Sequence, residues 1–178
     1  MYIRLQKYCL SLIDTIPTGV YILVLVVFII CLPVIFKLFG AKKGAFWGLA
    51  IILTDYIILL LGSMVVFRKA LEHREYHLKP FWSYHTKDNS GYVVLPEHIM
   101  NVVIFLPIGL LLAILYRRMG LLKITAIGLL LSCMIEALQF IFKRGVCEID
   151  DVMNNTLGCF LGAVIVFGAY RLCRIGHH

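Results

Sequence analysis

Five long apolar runs, separated by short polar segments, set the pattern of this chain. Each run approaches the length of about 20 residues that a helix needs to cross a bilayer. They predict transmembrane helices at residues 20–39, 45–67, 98–116, 121–142 and 151–172. Residues 2–15 mix apolar and polar positions, which is typical of a short helix lying in the membrane interface. The pattern therefore predicts an all-α integral membrane protein, built as a compact bundle of about five transmembrane helices.

The longest polar segment, residues 68–97, predicts one substantial outer loop between the second and third helices. Its aromatic side chains favour the headgroup level of a membrane; they are Phe81, Trp82, Tyr84 and Tyr92. The loop also carries His73 and His77, with Glu75 between them. This order differs from the His-Glu-x-x-His pattern of zinc peptidases, and we predict no metal site.

The composition excludes an ordinary soluble domain. Of the 178 residues, 61% are hydrophobic and 15% charged, and the mean hydropathy is +0.92. No polar segment is long enough to fold separately, so residues 1–178 are predicted to form a single membrane domain. The formal net charge is +7, but Lys and Arg flank the apolar runs and indicate topology, not nucleic-acid binding. The six cysteines include no Cys-x-x-Cys pair, and no cofactor is expected.

The distribution of basic residues predicts the orientation of the chain. The turns at 37–43 and 117–123, with the C-terminal tail, carry eight Lys and Arg and no Asp or Glu. The segments on the other side carry nine basic and eight acidic residues. Because short, purely basic loops mark the cytoplasmic side, we expect a cytoplasmic C-terminus and an N-terminus outside. The loop 68–97 and the turn 143–151 then both lie on the outer face.

Polar side chains interrupt the last two helices at helical spacing. On the fourth helix they are Ser132, Glu136, Gln139 and Lys143, and on the fifth they are Asp151 and Asn155. Steps of three and four residues share one face, so each set forms a stripe. A carboxylate such as Glu136 is costly at membrane depth unless it is paired or hydrated. The stripes therefore predict a polar cluster between helices.

Small residues and one proline predict where helices approach one another. Gly158 and Gly162 form a small-xxx-small pattern, which lets two backbones come close inside lipid. Pro107, with Gly109 just beyond it, predicts a kink in the third helix, and Asn101 places an amide near the mouth of that helix. We expect the proline and the three glycines to support helix packing.

A set of motifs runs through the second half of the chain. It comprises Glu136-x-x-Gln139, Gly145, Asp151, Asn155-Thr156-x-Gly158 and Gly162, preceded by Asn101 and Phe105-Leu106-Pro107-Ile108-Gly109. With these motifs the chain resembles the VanZ family of bacterial membrane proteins over roughly residues 78–166. One departure is Lys143-Arg144 ahead of Gly145, where many relatives place an Arg after a Gly. The resemblance implies a place in the bacterial cell envelope and a link to teicoplanin resistance, without a defined chemistry.

A non-enzymatic binding site is the first of several functions that the polar cluster permits. In this interpretation an outward-facing pocket between the third, fourth and fifth helices binds the headgroup of an amphiphile, either a lipoglycopeptide such as teicoplanin or a lipid-linked wall precursor. Lys143 or Arg144 would attract phosphate or carboxylate. Asp150 or Asp151 can equally act as a cap of the fifth helix. The predicted lining is Asn101, Glu136, Gln139, Lys143, Arg144, Asp150, Asp151 and Asn155.

An intramembrane enzyme is the second interpretation. Glu136 would be its general base, while Asp151 and Asn155 orient a lipid-linked substrate or a metal. No nucleophile is evident beside them in the sequence. A transporter that uses Asp55 and Glu136 as titrating sites is a third interpretation. In the last one, the same polar residues form a structural network that binds nothing. Membrane lipid is the partner common to all of them.

Overall fold

The chain is almost entirely helical where its structure is described. The computed structural model describes residues 17–85 and 95–175. The predicted interfacial helix at 2–15, and Tyr92 of the predicted aromatic patch, lie outside these residues. The helices are α1 (Thr18–Leu61), α2 (Trp82–His85), α3 (Leu95–Leu115), α4 (Gly120–Phe142) and α5 (Ile149–Ile175), and the strands are β1 (Glu75–His77) and β2 (Val146–Glu148).

Four helical segments in the described part of the chain are long and apolar enough to cross a membrane. They are Lys43–Val66, Glu97–Leu115, Gly120–Phe142 and Ile149–Cys173. Their ends lie within two residues of the predicted bounds for the last four spans. Residues 20–39, predicted as a further span, belong to the first half of α1. The prediction of an all-α membrane protein is confirmed.

A single glycine interrupts α1 where a turn was predicted at 37–43. Gly40 has φ 71° and ψ 172°, and helical residues stand on both sides of it. Glycine adopts this positive φ readily because it has no Cβ. The predicted turn is therefore a one-residue interruption between two helical halves, and the second half carries the span that ends at Val66.

A π-helical turn, Gly62–Val66, follows α1 directly. The N–H of Phe67 donates to the carbonyl of Gly62 at 2.9 Å, which is the i to i+5 bond of a π-helix. The wider turn and the end of the helix leave carbonyl groups without helical partners. Two of these carbonyls accept hydrogen bonds from side chains at the end of α4. Gln139 donates to the carbonyl of Met64, and Arg144 donates to that of Val66.

The closest helix pair is α3 with α5, and glycines line its interface. A Cβ at Gly158 would overlap the carbonyl oxygen of Val102, and a Cβ at Gly162 would overlap that of Leu106. Gly109 on α3 stands equally close to the backbone of α5. The two backbones therefore meet with no room for side chains, as in small-xxx-small interfaces. Acyl chains have no access to this face of Gly158 and Gly162.

The apolar core lies between the second half of α1, α3, α4 and α5. Its fully buried members are Phe105, Ile108, Ala113, Ile124, Ile135, Cys159 and Ala163. Pro107 lies inside α3 without ending it, and near it the hydroxyl of Tyr56 donates to the carbonyl of Ile104 at 2.7 Å. Large apolar side chains cover the outside: Leu122 is 84% exposed and Leu130 69%. Such surfaces suit contact with lipid.

The segments that follow α1 and α4 meet at one end of the bundle. β1 pairs in parallel with β2, with Glu75 opposite Val146 and His77 opposite Glu148. We name this end the loop end; it comprises the π-turn, β1, α2, β2 and the first two turns of α5. The loop at 68–85 is thus attached to the helices by backbone pairing.

Candidate functional site

The polar stripe of α4 faces the interior of the protein. Ser132, Glu136 and Gln139 are 0%, 3% and 2% exposed. Their spacing of three and four residues puts them on one side of α4, and their hydrogen-bond partners lie on α5, β2 and the π-turn. The predicted stripe is buried between elements at and below the loop end.

Glu136 and Asp151 are two carboxylates of the loop end that bind partners on neighbouring elements. Oε2 of Glu136 accepts a hydrogen bond from the backbone N–H of Glu148 at 3.0 Å. Oδ1 of Asp151 accepts one from Nδ2 of Asn101 at 2.6 Å. These bonds offset part of the cost of placing carboxylates at the membrane boundary. The two acids also lie close enough to repel each other.

Asn155 joins α5 to α4 one turn deeper. Its Nδ2 donates to the hydroxyl of Ser132 at 2.8 Å, and the residue is 1% exposed. Its carbonyl oxygen Oδ1 is buried without a hydrogen-bond partner. Because Ser132 is four residues before Glu136 on the same stripe, Asn155 and Glu136 share the interior between α4 and α5.

Gln139 lies beside the start of β2. Its Nε2 donates to the carbonyl of Met64 at 3.2 Å, while its Oε1 is buried without a hydrogen-bond partner. Gly145 has φ 153°, and a Cβ on it would lie 3.0 Å from both Oε1 of Gln139 and a guanidinium nitrogen of Arg68. Glycine at this position lets the amide and the guanidinium approach each other.

Lys143 and Arg144 hold the loop to the end of α4. Lys143 ends the helix in the left-handed conformation, with φ 55°, and its Nζ donates to the carbonyl of Glu72 at 3.4 Å. Arg144 donates to the carbonyls of Val66 and Arg68 at 2.7 and 2.6 Å. Both predicted anion-binding side chains therefore donate to backbone carbonyls of the π-turn and the loop.

Asp150 binds the loop and not its own helix. β2 leads directly into α5, so Asp150 is the second residue of that helix. Its carboxylate accepts hydrogen bonds from the N–H of Phe81 at 2.6 Å, and from the N–H and hydroxyl of Ser83 at 2.9 and 2.5 Å. Phe81 has a positive φ of 61°, uncommon for a non-glycine residue. Asp150 thus satisfies N–H groups at the start of α2, whereas Glu136 and Asp151 accept hydrogen bonds from Glu148 and Asn101.

A second contact between loop and helices joins Tyr84, His98 and Asn154. The sequence indicated Tyr84 only as part of the aromatic patch, and it indicated neither His98 nor Asn154. The hydroxyl of Tyr84 donates to Oδ1 of Asn154 at 2.6 Å. The ring of Tyr84 stacks on that of His98 with 4.1 Å between centroids, and Nδ2 of Asn154 lies 3.2 Å from Nδ1 of His98. Asn154 stands four residues after Asp150 and so shares its face of α5. This helical spacing is the feature of the sequence that could have indicated Asn154.

Most of the chain matches one known protein family. Residues 20–173 match the model of the VanZ/LLP1 family. The chain belongs to the VanZ/LLP1 family. Protein VanZ of Enterococcus faecium is 48% identical over 66 residues, which are 37% of this chain and 41% of that protein. The match therefore spans less than half of that relative. No solved structure matches the chain significantly.

An acidic cluster lies at the loop end of this VanZ/LLP1 protein. Arg68 interacts electrostatically with four carboxylates, those of Glu97, Glu136, Glu148 and Asp151. Glu148 is the last residue of β2, between α4 and α5. Burial raises the pKa of its carboxyl, whereas the nearby His77 and Arg68 lower it. Burial also raises the pKa of the neighbouring Cys147 thiol. The cluster is rich in hydrogen-bond acceptors.

The acidic cluster does not have the geometry of a metal site. Within residues 17–85 and 95–175, no group of three or more His, Cys, Asp and Glu side chains is placed to hold a metal ion. An ionised carboxylate accepts hydrogen bonds and has no N–H or O–H group to donate. In this VanZ/LLP1 chain the ionised carboxylates of the cluster can therefore accept hydrogen bonds from donors.

Proposed function

We propose that this VanZ/LLP1 protein binds the headgroup of an amphiphile at its loop end, on the outer side of the bacterial cell membrane. The ligand is a lipoglycopeptide of the teicoplanin kind or a lipid-linked precursor of the cell wall. Binding without turnover would keep such a molecule from its target, or present it to a partner. The protein would in this way contribute to glycopeptide resistance.

Convergence of buried polar groups from three helices is the observation that carries the proposal. Asn101 on α3, Glu136 on α4 and Asp151 on α5 meet below β2. Asn101 is 2% exposed and Glu136 3% exposed, and Asp151 is half-buried. Apolar side chains of the loop lie exposed at the same end, among them Leu78 and Phe81. An amphiphile has a polar head and an acyl tail, and this end of the bundle offers surfaces of both kinds.

The outward orientation of the loop end is supported by charge. The turn between α3 and α4, at the opposite end, contains Arg117 and Arg118, and Lys123 follows in the first turn of α4. Arg117 packs over the ring of Tyr170 with 3.6 Å to its centroid. Basic residues in short turns favour the cytoplasmic side. The loop end, which holds most of the acids, then faces outward.

Cysteine labelling in intact cells tests the orientation. In a cysteine-free background, Lys79→Cys in the exposed loop should react with a membrane-impermeant maleimide. The matched variant Arg118→Cys should react only after the cells are permeabilised. The opposite pattern would place the loop end in the cytoplasm and overturn this part of the proposal.

Ligand binding is tested with the purified full chain in lipid nanodiscs. Teicoplanin should raise the melting temperature in a saturable way, since a ligand stabilises the state that it binds. Glu136→Gln should keep the fold and weaken this binding. Asp55→Asn is the matched control, because Asp55 lies eleven residues before Val66, about 16 Å along the helix from the loop end. Equal binding by wild type and Glu136→Gln would overturn the assignment of the site.

A structural network is the second candidate, and specific contacts favour it. Asn101 donates a hydrogen bond to Asp151, and Asn155 donates one to Ser132. If teicoplanin does not stabilise the wild type and Glu136→Gln merely lowers the melting temperature, this candidate is correct. Catalysis receives less support, because the hydroxyl of Ser132 is fully buried and already bonded to Asn155.

A further inference from the structure

Large apolar side chains of the outer loop stand exposed at the loop end. Four of them are between 42% and 62% exposed, and we name them the apolar ridge: Tyr76, Leu78, Phe81 and Trp82. The ring of Trp82 on α2 stacks on that of His77 on β1 with 4.8 Å between centroids, which holds the two parts of the ridge together. An exposed apolar patch of this kind marks an interaction surface.

Contacts with two membrane helices fix the depth of the apolar ridge. Phe81 donates its backbone N–H to Asp150, the second residue of α5. The ring of Tyr76 meets that of Phe140, two residues before the end of α4, edge to face with 6.0 Å between centroids. α4 has 23 residues and is about 34 Å long, while the hydrocarbon layer is about 30 Å thick. The helix ends therefore reach the headgroup layer, and the ridge lies level with them.

The lipid-facing surface of α4 continues onto the apolar ridge. The last two residues of α4, Ile141 and Phe142, are both more than half exposed. On a membrane helix lipid covers such side chains. Phe140 precedes them in the same turn and contacts Tyr76. The surface that lipid covers on α4 therefore runs through Phe140 to β1, and the same bilayer adjoins the ridge.

Basic side chains beside the apolar ridge suit the phosphate groups of phospholipids. The guanidinium of Arg74 lies over the ring of Phe140, 5.7 Å from its centroid, and Lys79 is exposed within the ridge segment. Long basic side chains lay their apolar stems along apolar surface and keep the charge at the headgroup level. The acidic neighbour Glu75 points to the opposite face of β1 from Tyr76, because successive side chains of a strand alternate. The side that meets α4 thus combines apolar and basic groups.

We propose that the apolar ridge is an interaction surface for the membrane itself. It inserts into the headgroup layer of the leaflet at the loop end, with Arg74 and Lys79 on phospholipid phosphates. Aromatic rings favour this level of a bilayer. Because Asp150 ties the ridge to α5, insertion fixes the height of the loop above the hydrocarbon layer. The ridge acts on the surrounding lipid and does not depend on the binding of an amphiphile by the polar groups of the loop end.

The fluorescence of Trp82 measures the depth of the apolar ridge, because the chain has one other tryptophan, Trp47. The full chain with Trp47→Phe is reconstituted into phosphatidylcholine vesicles that carry bromine either next to the headgroup or near the end of the acyl chain. The shallow bromine should quench Trp82 at least about twofold more strongly than the deep bromine. Absence of quenching by the shallow bromine, or stronger quenching by the deep one, overturns the proposal.

Leu130→Trp, in a chain that lacks both native tryptophans, is the matched control for depth. Leu130 is exposed near the middle of α4. It should be quenched more strongly by the deep bromine, which confirms that the two bromines report different levels of the bilayer.

Spin labels on two exposed loop residues test which face of β1 meets lipid. In a cysteine-free background, a label at Leu78→Cys should be reached more readily by oxygen, which dissolves in lipid, than by a water-soluble nickel chelate. A label at Glu75→Cys should show the opposite order. Both side chains are exposed, so the labels leave the core intact, and the melting temperature of each variant checks its folding. Preference for the nickel chelate at Leu78 overturns the proposal.

A lipid with an anionic headgroup tests the two basic side chains. When the shallow bromine is carried by a minor fraction of phosphatidylglycerol, Trp82 should be quenched more strongly than by the same fraction of brominated phosphatidylcholine, because basic residues near the surface attract anionic lipid. The double variant Arg74→Gln with Lys79→Gln should lose this excess. Equal quenching by the two lipids in the chain that keeps Arg74 and Lys79 overturns their assignment to phosphate groups.

Discussion

Ser83 donates both its backbone N–H and its hydroxyl to one oxygen of Asp150, although the two residues lie 67 positions apart. Both are buried, at 7% and 2% exposure. Hydrogen bonds to a carboxylate are stronger than those between neutral groups. This contact therefore attaches the outer loop to the first turn of α5.

Asp150→Ala is predicted to loosen the loop. The N–H groups of Phe81 and Ser83 would lose their shared acceptor. The cost is about 1–3 kcal/mol for the buried N–H of Ser83. The melting temperature should fall, and limited proteolysis near Lys79 should become faster. Ser83→Ala removes only the hydroxyl and should have a smaller effect. In the double variant the two losses should be less than additive, because they remove one interaction; strict additivity would contradict the contact.

Tyr84→Phe is predicted to separate two contributions of the second loop contact. The variant keeps the ring that stacks on His98 but loses the hydroxyl that donates to Asn154. A destabilisation of about 1 kcal/mol is expected in thermal unfolding. Tyr84→Leu removes the stacked ring as well and should cost more. Equal melting temperatures for Tyr84→Phe and wild type would show that the hydroxyl bond adds nothing.

Gly158→Ala is predicted to separate α3 from α5. The added methyl group would overlap the carbonyl of Val102, so the helices must move apart along their closest contact. A fall in melting temperature should follow, as expected from overpacking, which costs about 1–3 kcal/mol. Gly168→Ala is the matched control on the same helix, since a Cβ there has no atom within 4 Å. That change should be neutral or stabilising; equal losses in both variants would contradict close helix packing.

Helical periodicity explains which parts of the fold and site could be predicted. The spans follow from apolar length, and the inward stripe of Glu136 and Gln139 follows from 3.6 residues per turn. Neighbours around a helix are harder to assign. Asn154 and Asn155 are adjacent in sequence, yet one binds Tyr84 on the loop and the other Ser132 on α4. Sequence alone does not specify which face meets which element.

Contacts made by the loop depend on tertiary structure and carry no periodic signal. β1 and β2 have three residues each, too short for an alternating pattern. The positive charge of Lys143 and Arg144 was evident, but their acceptors are carbonyls at and after a π-turn that only the folded chain reveals. Asp150 was weighed as a cap of its own helix; the strand that runs directly into α5 directs it to Ser83 instead.

Glu148 is predicted to make stability depend on pH. Burial is the main cause that raises the pKa of this carboxyl above its usual value, and Asp150 and Glu97 act in the same direction, while His77 and Arg68 oppose them. The folded state therefore holds the proton more tightly than the unfolded state does. The resulting stabilisation is complete below the unfolded pKa and is lost as the pH rises through the folded pKa.

Glu148→Gln removes this titration and leaves the backbone N–H that binds Glu136 in place. The melting temperature of the wild type should fall as the pH is raised from 4 to 8, whereas that of Glu148→Gln should fall less and be higher at pH 8. Glu75→Gln is the matched control, because Glu75 is exposed on β1, and should follow the wild type. Parallel curves for Glu148→Gln and wild type would mean that the Glu148 carboxyl titrates alike in the folded and unfolded chain, and that its burial at the loop end carries no electrostatic cost.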